Sequence, residues 1–122
     1  MEVGTYDTRE FAQELERAEG NRQIATKLLF ENDRVRIWEL ALEPGERAAF
    51  HCHALPYFFV CVDAGRAISR FPNGTRVEID YDVGTTWFDD LPNGPEVHDL
   101  ENVGLTRLRF TTVELLAAQS IG

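Results

Sequence analysis

The sequence predicts an all-β protein, a sandwich or closed barrel behind a short helical preface, and three observations predict it. Turn signals recur about every ten residues from position 24 onward, the spacing of sandwiches and barrels. Stretches between those turns alternate apolar and polar residues with the period of a strand. Apolar residues at helical spacing occur only near the start of the chain.

The elements follow in order. Asp7 with Glu10 three residues later has the form of a capping box, and Phe11, Leu15 and Ala18 then lie at helical spacing. Gly20 and Asn21 close that helix. Residues 1–22 are therefore expected as an N-terminal helical segment and 23–122 as one β-barrel domain. "VRIWELAL" at 35–42 is rich in strand formers, but its apolar phase slips between Ile37 and Trp38, which implies a bulge or burial on both faces. "EPGE" at 43–46 is a turn. In "FPNGTRVEIDY", Asn73-Gly74 is the strongest short hairpin signal, and Val77, Ile79 and Tyr81 then alternate with Glu78 and Asp80. "DVG" at 82–84 and "LPNGP" at 91–95 punctuate again, and "TRLRFTTVELL" supplies a last long strand.

The 122 residues suit one domain with one core. Twelve basic against twenty-one acidic side chains leave a net charge of −9, a poor start for binding nucleic acid or an anionic membrane. No apolar run approaches the roughly 18 residues of a membrane span. The opening "MEVGTYDTRE" lacks the pattern of a signal peptide, so a cytoplasmic protein is expected. In that compartment Cys52 and Cys61 are expected as free thiols.

The chemistry gathers in "FHCHALPYFF" at 50–59. On a strand, residues i and i+2 share a face, so His51 and His53 aim two imidazoles at one point while Cys52 faces away. The third histidine, His98, follows the turn-rich "LPNGP". Three neutral imidazoles meeting inside a barrel would suit a borderline divalent metal. A pair of alternate histidines on a strand also arises by chance, and spacing alone leaves that reading open.

Here the sequence resembles the cupin superfamily. "PGERAAFHCHALPYFFVCVDAG" is similar to the first cupin motif: Gly45, five residues, then His51 and His53. "VGTTWFDDLPNGPEVHDLENVG" is similar to the second, with Gly84, Pro92, Gly94, His98 and Asn102 in its roles and slightly longer gaps before Pro92 and His98. The runs "LLFENDRVRIWELALEPGE" and "HDLENVGLTRLRFTTVELL" resemble the opening and ending of small bacterial single-domain cupins. The resemblance implies a cupin-type jelly roll, a double-stranded β-helix barrel. Gly45, Gly65, Gly84 and Gly94 are expected where φ is positive or backbones approach closely, and Pro92 would stiffen the loop presenting His98.

One departure matters. Cupins of the usual pattern add a glutamate from the first motif as a fourth ligand, and that slot falls on Tyr57 or Phe58. The resemblance is thus to three-histidine cupins, with His51, His53 and His98 as the implied ligands of a divalent ion, Fe(II) ahead of Zn, Ni or Mn. Three neutral ligands leave the ion its full charge and an open position. Losing the carboxylate also weakens binding, so a decayed site is an alternative. Tyr57 is a candidate catalytic residue, as hydrogen-bond donor or acid, against the plainer reading of a core tyrosine.

Around these residues, Phe50, Phe59, Trp87 and Phe88 are read as core packing, site lining or a dimer contact. Asp89, Asp90 and Glu96 could orient an imidazole N–H or simply be solvated. Arg47 and Arg70 could grip an acidic substrate or be surface arginines. The expected function is a metal-dependent dioxygenase acting on a small diketone, thiol or carboxylated substrate. The alternatives are a non-redox isomerase or lyase and a non-catalytic small-molecule-binding cupin. The expected partners are a small-molecule substrate and a second copy in a homodimer, with no nucleic acid and no membrane.

Overall fold

A computed structural model describes residues 1–117 of the chain, so positions 118–122 of the expected domain lie outside the described residues. Ten strands form two five-stranded antiparallel sheets packed face to face. They are β1 (Glu2–Thr5), β2 (Lys27–Glu31), β3 (Val35–Leu42), β4 (Arg47–His53), β5 (Tyr57–Asp63), β6 (Gly65–Arg70), β7 (Thr75–Tyr81), β8 (Thr86–Asp89), β9 (Glu96–Asn102) and β10 (Leu108–Leu115). The first sheet runs β1-β7-β6-β9-β4 and the second β2-β3-β10-β5-β8. The all-β jelly-roll expectation holds.

Alternation sets what lies between the sheets. Along β10, Leu108, Phe110, Thr112 and Glu114 are buried while Arg109, Thr111, Val113 and Leu115 are only half-buried. Leu40 and Leu42 of β3, Cys61 of β5 and Ala67 of β6 complete the same core. The phase slip at Ile37 and Trp38 has a bulge as its cause, located on the neighbouring strand: β2 pairs Leu28 with Trp38 but Phe30 with Ile37, leaving Leu29 as the extra residue. In the hairpin after β6, Gly74 alone takes positive φ, +90°, and its N–H donates to Phe71 O. That pattern is a type I turn ending on a left-handed glycine.

The N-terminal segment departs from the expectation in two ways. Residues Glu2–Thr5 form an edge strand on β7, too short to stand out in the sequence. The helix is broken into a 3₁₀ turn (Thr8–Phe11), a short α1 (Ala12–Arg17) and a second 3₁₀ turn (Ala18–Gly20). Asp7 caps the first turn, but its side chain is engaged by Arg9, a donor, and not in a reciprocal box with Glu10. The Asp7 carboxylate accepts from the Arg9 backbone N–H at 3.0 Å and from its guanidinium at 2.9 Å.

This segment completes the edge of the first sheet. Strand β4 has no neighbour on one side, and the helical residues supply the missing partners. Cys52 N–H donates to Asn21 O at 2.8 Å, Asn21 Nδ2 donates to Phe50 O at 3.0 Å, and Phe50 N–H donates to Glu14 Oε1 at 2.6 Å. Phe50 and Cys52 are buried beneath that cover. Beside them Asp99, with no exposed surface, accepts from Arg47 Nε at 2.7 Å, Arg70 Nη1 at 2.9 Å and the Arg70 backbone N–H at 2.7 Å. Arg47 also reaches Glu14, and Arg70 reaches Glu101. Both arginines are therefore committed to structural ion pairs on the outer face and do not line the barrel interior. Cys52 and Cys61 are free and buried.

Candidate metal centre

Three imidazoles project into the barrel from two adjacent strands of the first sheet. A bulge makes this possible. On the β4–β9 ladder Ala48 opposes Leu100, but His51 opposes His98, so β4 carries one extra residue in between. A one-residue insertion reverses which side chains face inward. Without it, Phe50 and Cys52 would share the inward phase of Ala48, and His51 and His53 would point out.

The geometry is tight. One ligand nitrogen from each of His51, His53 and His98 lies within 4.8 Å of the others. His53 Nε2 and His98 Nε2 are 2.9 Å apart. Two nitrogens each about 2.1 Å from a shared ion and at right angles would lie about 3.0 Å apart, so this pair fits adjacent ligand positions. The ring of His51 is set by its Nδ1, 2.8 Å from the Ala49 carbonyl at the bulge. With the proton on Nδ1, its Nε2 lone pair is free. Among the described residues His53 Nδ1 is buried without a partner, and that ring's polar atoms are held only through Nε2.

Electrostatics favour neutral donors. Burial pushes His53 down to about 3, with His51 beside it adding to the effect. Burial also holds His98 well below its ordinary range, helped by the two neighbouring imidazoles. For His51 burial again lowers the value, opposed by the Ala49 carbonyl and by Asp99. All three rings are thus free bases at neutral pH, the form that binds a metal. The donor set fits a divalent ion.

The second sheet supplies the wall opposite. A cavity of about 60 Å³ is lined by the histidines and by Ile24, Leu40, Tyr57, Phe59, Ser69, Tyr81, Leu100, Phe110 and Thr112, with no charged side chain among them. At about 30 Å³ per water molecule that space holds about two waters. Tyr57 is buried, and its ring stacks on His53 with centroids 3.9 Å apart. Burial raises its phenol pKa, and the charges of Glu96 and Asp89 raise it further, so the hydroxyl keeps its proton. Phe71, from the β6–β7 turn, stacks on His98 at 6.0 Å.

The other expected neighbours divide. Phe59 lines the cavity, whereas Phe50 sits under the helical cover. Trp87 and Phe88 belong neither to the core nor to the cavity: they lie on the edge strand β8, 59% and 56% exposed. Asp89, Asp90 and Glu96 line an open groove at the barrel mouth. Glu96 is pushed up to about 7 by burial and by Asp89 beside it. Among the described residues no carboxylate hydrogen-bonds an imidazole of the cluster, and a backbone carbonyl takes that role at His51. Gly94 (φ +87°) ends the turn before β9, as expected from the motif, and Gly65 leaves only 3.2 Å between a would-be Cβ and Leu108. The sequence reading missed Ser69, Tyr81 and Thr112 as cavity residues. Their only signal is strand alternation, which cannot say which face is inside until a neighbouring strand is fixed.

No protein-family model and no curated protein matches the sequence. Solved structures do match. A cupin domain from Bordetella pertussis Tohama I aligns over 75% of this chain and 91% of its own, at 23% identity and a TM-score of 0.67. A predicted oxalate decarboxylase from Thermotoga maritima aligns over 80% and 88%, at 24% identity and a TM-score of 0.56. An RmlC-like cupin protein with a double-stranded β-helix fold from Methanocaldococcus jannaschii aligns over 74% and 77%, at 18% identity and a TM-score of 0.57. Strand order, inward histidines and these likenesses agree: the chain has the cupin fold, a small double-stranded β-helix.

Proposed function

We propose that this chain is a metal-dependent enzyme in which His51, His53 and His98 hold one divalent ion, and that its reaction is an iron-dependent dioxygenation of a small, enolisable diketone-like substrate. The observation carrying this reading is the convergence of three neutral imidazole nitrogens in an apolar cavity whose acid slot holds Tyr57. A bound Fe(II) ion would supply a Lewis acid of undiminished charge with positions open to substrate and dioxygen.

The chain's own residues narrow the substrate. No cationic side chain lines the cavity, so nothing there offsets a second negative charge. That favours a neutral molecule or monoanion over a dicarboxylate or a sugar phosphate. The small volume and the walls of Phe59, Phe110 and Leu40 select a compact, largely apolar group and exclude bulk water. Tyr57, packed on His53 and protonated, can donate a hydrogen bond to a substrate oxygen held beside the histidines.

The test is anaerobic loading with Fe(II), elemental analysis, and oxygen uptake with pentane-2,4-dione as probe. One iron per chain and substrate-dependent uptake are expected, with both lost in His98→Ala. Stoichiometric zinc or nickel in protein purified without added metal, and no uptake by the iron-loaded form, would overturn the dioxygenase reading in favour of a non-redox enzyme. Tyr57→Phe is expected to keep the iron and lower turnover at least tenfold, the low end of what a positioned proton donor contributes.

A further inference from the structure

The cavity holds three hydroxyl groups that the binding of an ion does not require. Ser69 comes from β6 and Tyr81 from the end of β7 in the first sheet, and Thr112 from β10 in the second. Thr112 is 7% exposed and keeps the buried phase of its strand, so its side chain faces inward. The registers order the polar groups along the barrel. Tyr57, stacked on His53, stands beside Glu114, and Thr112 lies one inward step further along β10, beside Phe59. Tyr81 is packed at the next level, edge-on to Phe59 at 6.1 Å and to Phe110 at 4.9 Å.

Among the described residues none of the three hydroxyls has a hydrogen-bond partner in the protein, and none is sealed away as His53 Nδ1 is. Buried polar groups are nearly always paired, and one that leaves water for an apolar wall without a partner costs free energy. A chamber shaped only for an apolar group would carry valine and phenylalanine at these positions, as it carries phenylalanine at 59 and 110. Burial holds the Tyr81 phenol up at about 12, with Cys61 adding to the effect, so it remains a donor.

We propose that Thr112, Ser69 and Tyr81 form a second recognition point, which takes a hydroxyl on the substrate beyond the two oxygens that meet the ion. The inference rests on the metal reading above and narrows its substrate to a compact, hydroxy-substituted chelator. A hydroxyl both donates and accepts, as each of these three groups does, so it can pair with any of them in either direction. A second anionic group would find no cation on the cavity wall. With about 60 Å³ of free space, no atom of an occupant lies far from that wall.

Two chelating probes that differ by one oxygen test the proposal: acetohydroxamate, and glycolohydroxamate, which carries a hydroxyl on the methyl carbon. Both grip a metal through the same two oxygens, and titration calorimetry on zinc-loaded protein reads their affinities without turnover. A site that hydrogen-bonds a ligand hydroxyl rejects the analogue lacking it, so glycolohydroxamate is expected to bind the wild type about tenfold more tightly. Thr112→Val keeps the shape, removes the hydroxyl and is expected to bring the two affinities together, while Thr112→Ser keeps the preference. Ser69→Ala and Tyr81→Phe, each removing one oxygen from another strand, should weaken it as well. Equal affinities in the wild type, zinc binding without either probe, or a folded Thr112→Val that keeps the full preference overturns the proposal and leaves the metal reading standing. A wild type that takes up no zinc overturns the metal reading, and the second recognition point with it.

Discussion

The two sheets of this barrel divide its tasks. The first carries all three histidines on its inner side, and its outer side is finished within the chain. Helical residues satisfy the free edge of β4, and arginines close on Asp99, Glu78 and Glu101. The second sheet supplies the apolar wall facing the histidines, and its outer side ends in bare aromatic and branched residues. The difference shows where each sheet's free energy comes from. One outer face is held by polar partners in fixed geometry, and the other carries half-exposed apolar side chains.

The comparison can be broken most sharply at Asp99. Asp99→Ala removes the acceptor that holds two arginines and a backbone N–H, leaving each half-buried guanidinium with only its second carboxylate, Glu14 or Glu101. A loss of about 3–5 kcal/mol is expected, read as a lower urea midpoint, together with loosening of the N-terminal cover. A loss no larger than that of an exposed ion pair would mean the first face is not built around this carboxylate.

The next effect is on pH. In chelator-treated protein the histidines are held below their unfolded value of about 6.5. The unfolded chain then binds more protons in acid, and stability falls as pH drops from about 6.5 toward 3. His53 alone should contribute about 2 kcal/mol of that loss by pH 5. Denaturant titrations at both ends of the window check this. A triple replacement of His51, His53 and His98 by phenylalanine should flatten the profile, and an unchanged slope in that variant would place the acid sensitivity elsewhere. The smallest effect is expected at Arg66, which is itself partly exposed and of whose three partners only Glu78 is shielded, Glu2 and Asp80 being largely exposed. Arg66→Ala should lower stability only slightly, and less still in high salt.

Much of the site was legible before any coordinates, because its signals are local. Gly45, the alternate histidines and the turn before His98 mark positions by residue type and spacing. The bulge after Ala48 was not legible, since an extra residue shows only against the partner strand's count. The line of apolar residues across the outer face of the second sheet was hidden for a related reason. Phe30, Ile37, Phe58, Phe88 and Val113 are scattered over more than eighty positions and become neighbours only through four registers. Trp87 and Phe88 are read from the sequence as core packing, site lining or a dimer contact, and an edge strand with no further strand beside it among the described residues leaves them more than half exposed. Arg47 and Arg70 look free in the sequence because their shared partner, Asp99, lies 52 and 29 residues further on, beside His98.

That His51, His53 and His98 all hang from a single ladder has a practical corollary. Tyr57 apart, which stacks on His53, the opposite panel from Leu40 to Thr112 can be recut without replacing any contact of the donors described above. Enlarging the chamber at Phe59 or Phe110 would change its shape while the imidazole tripod stays put, so cavity form and donor geometry in this barrel are separately adjustable.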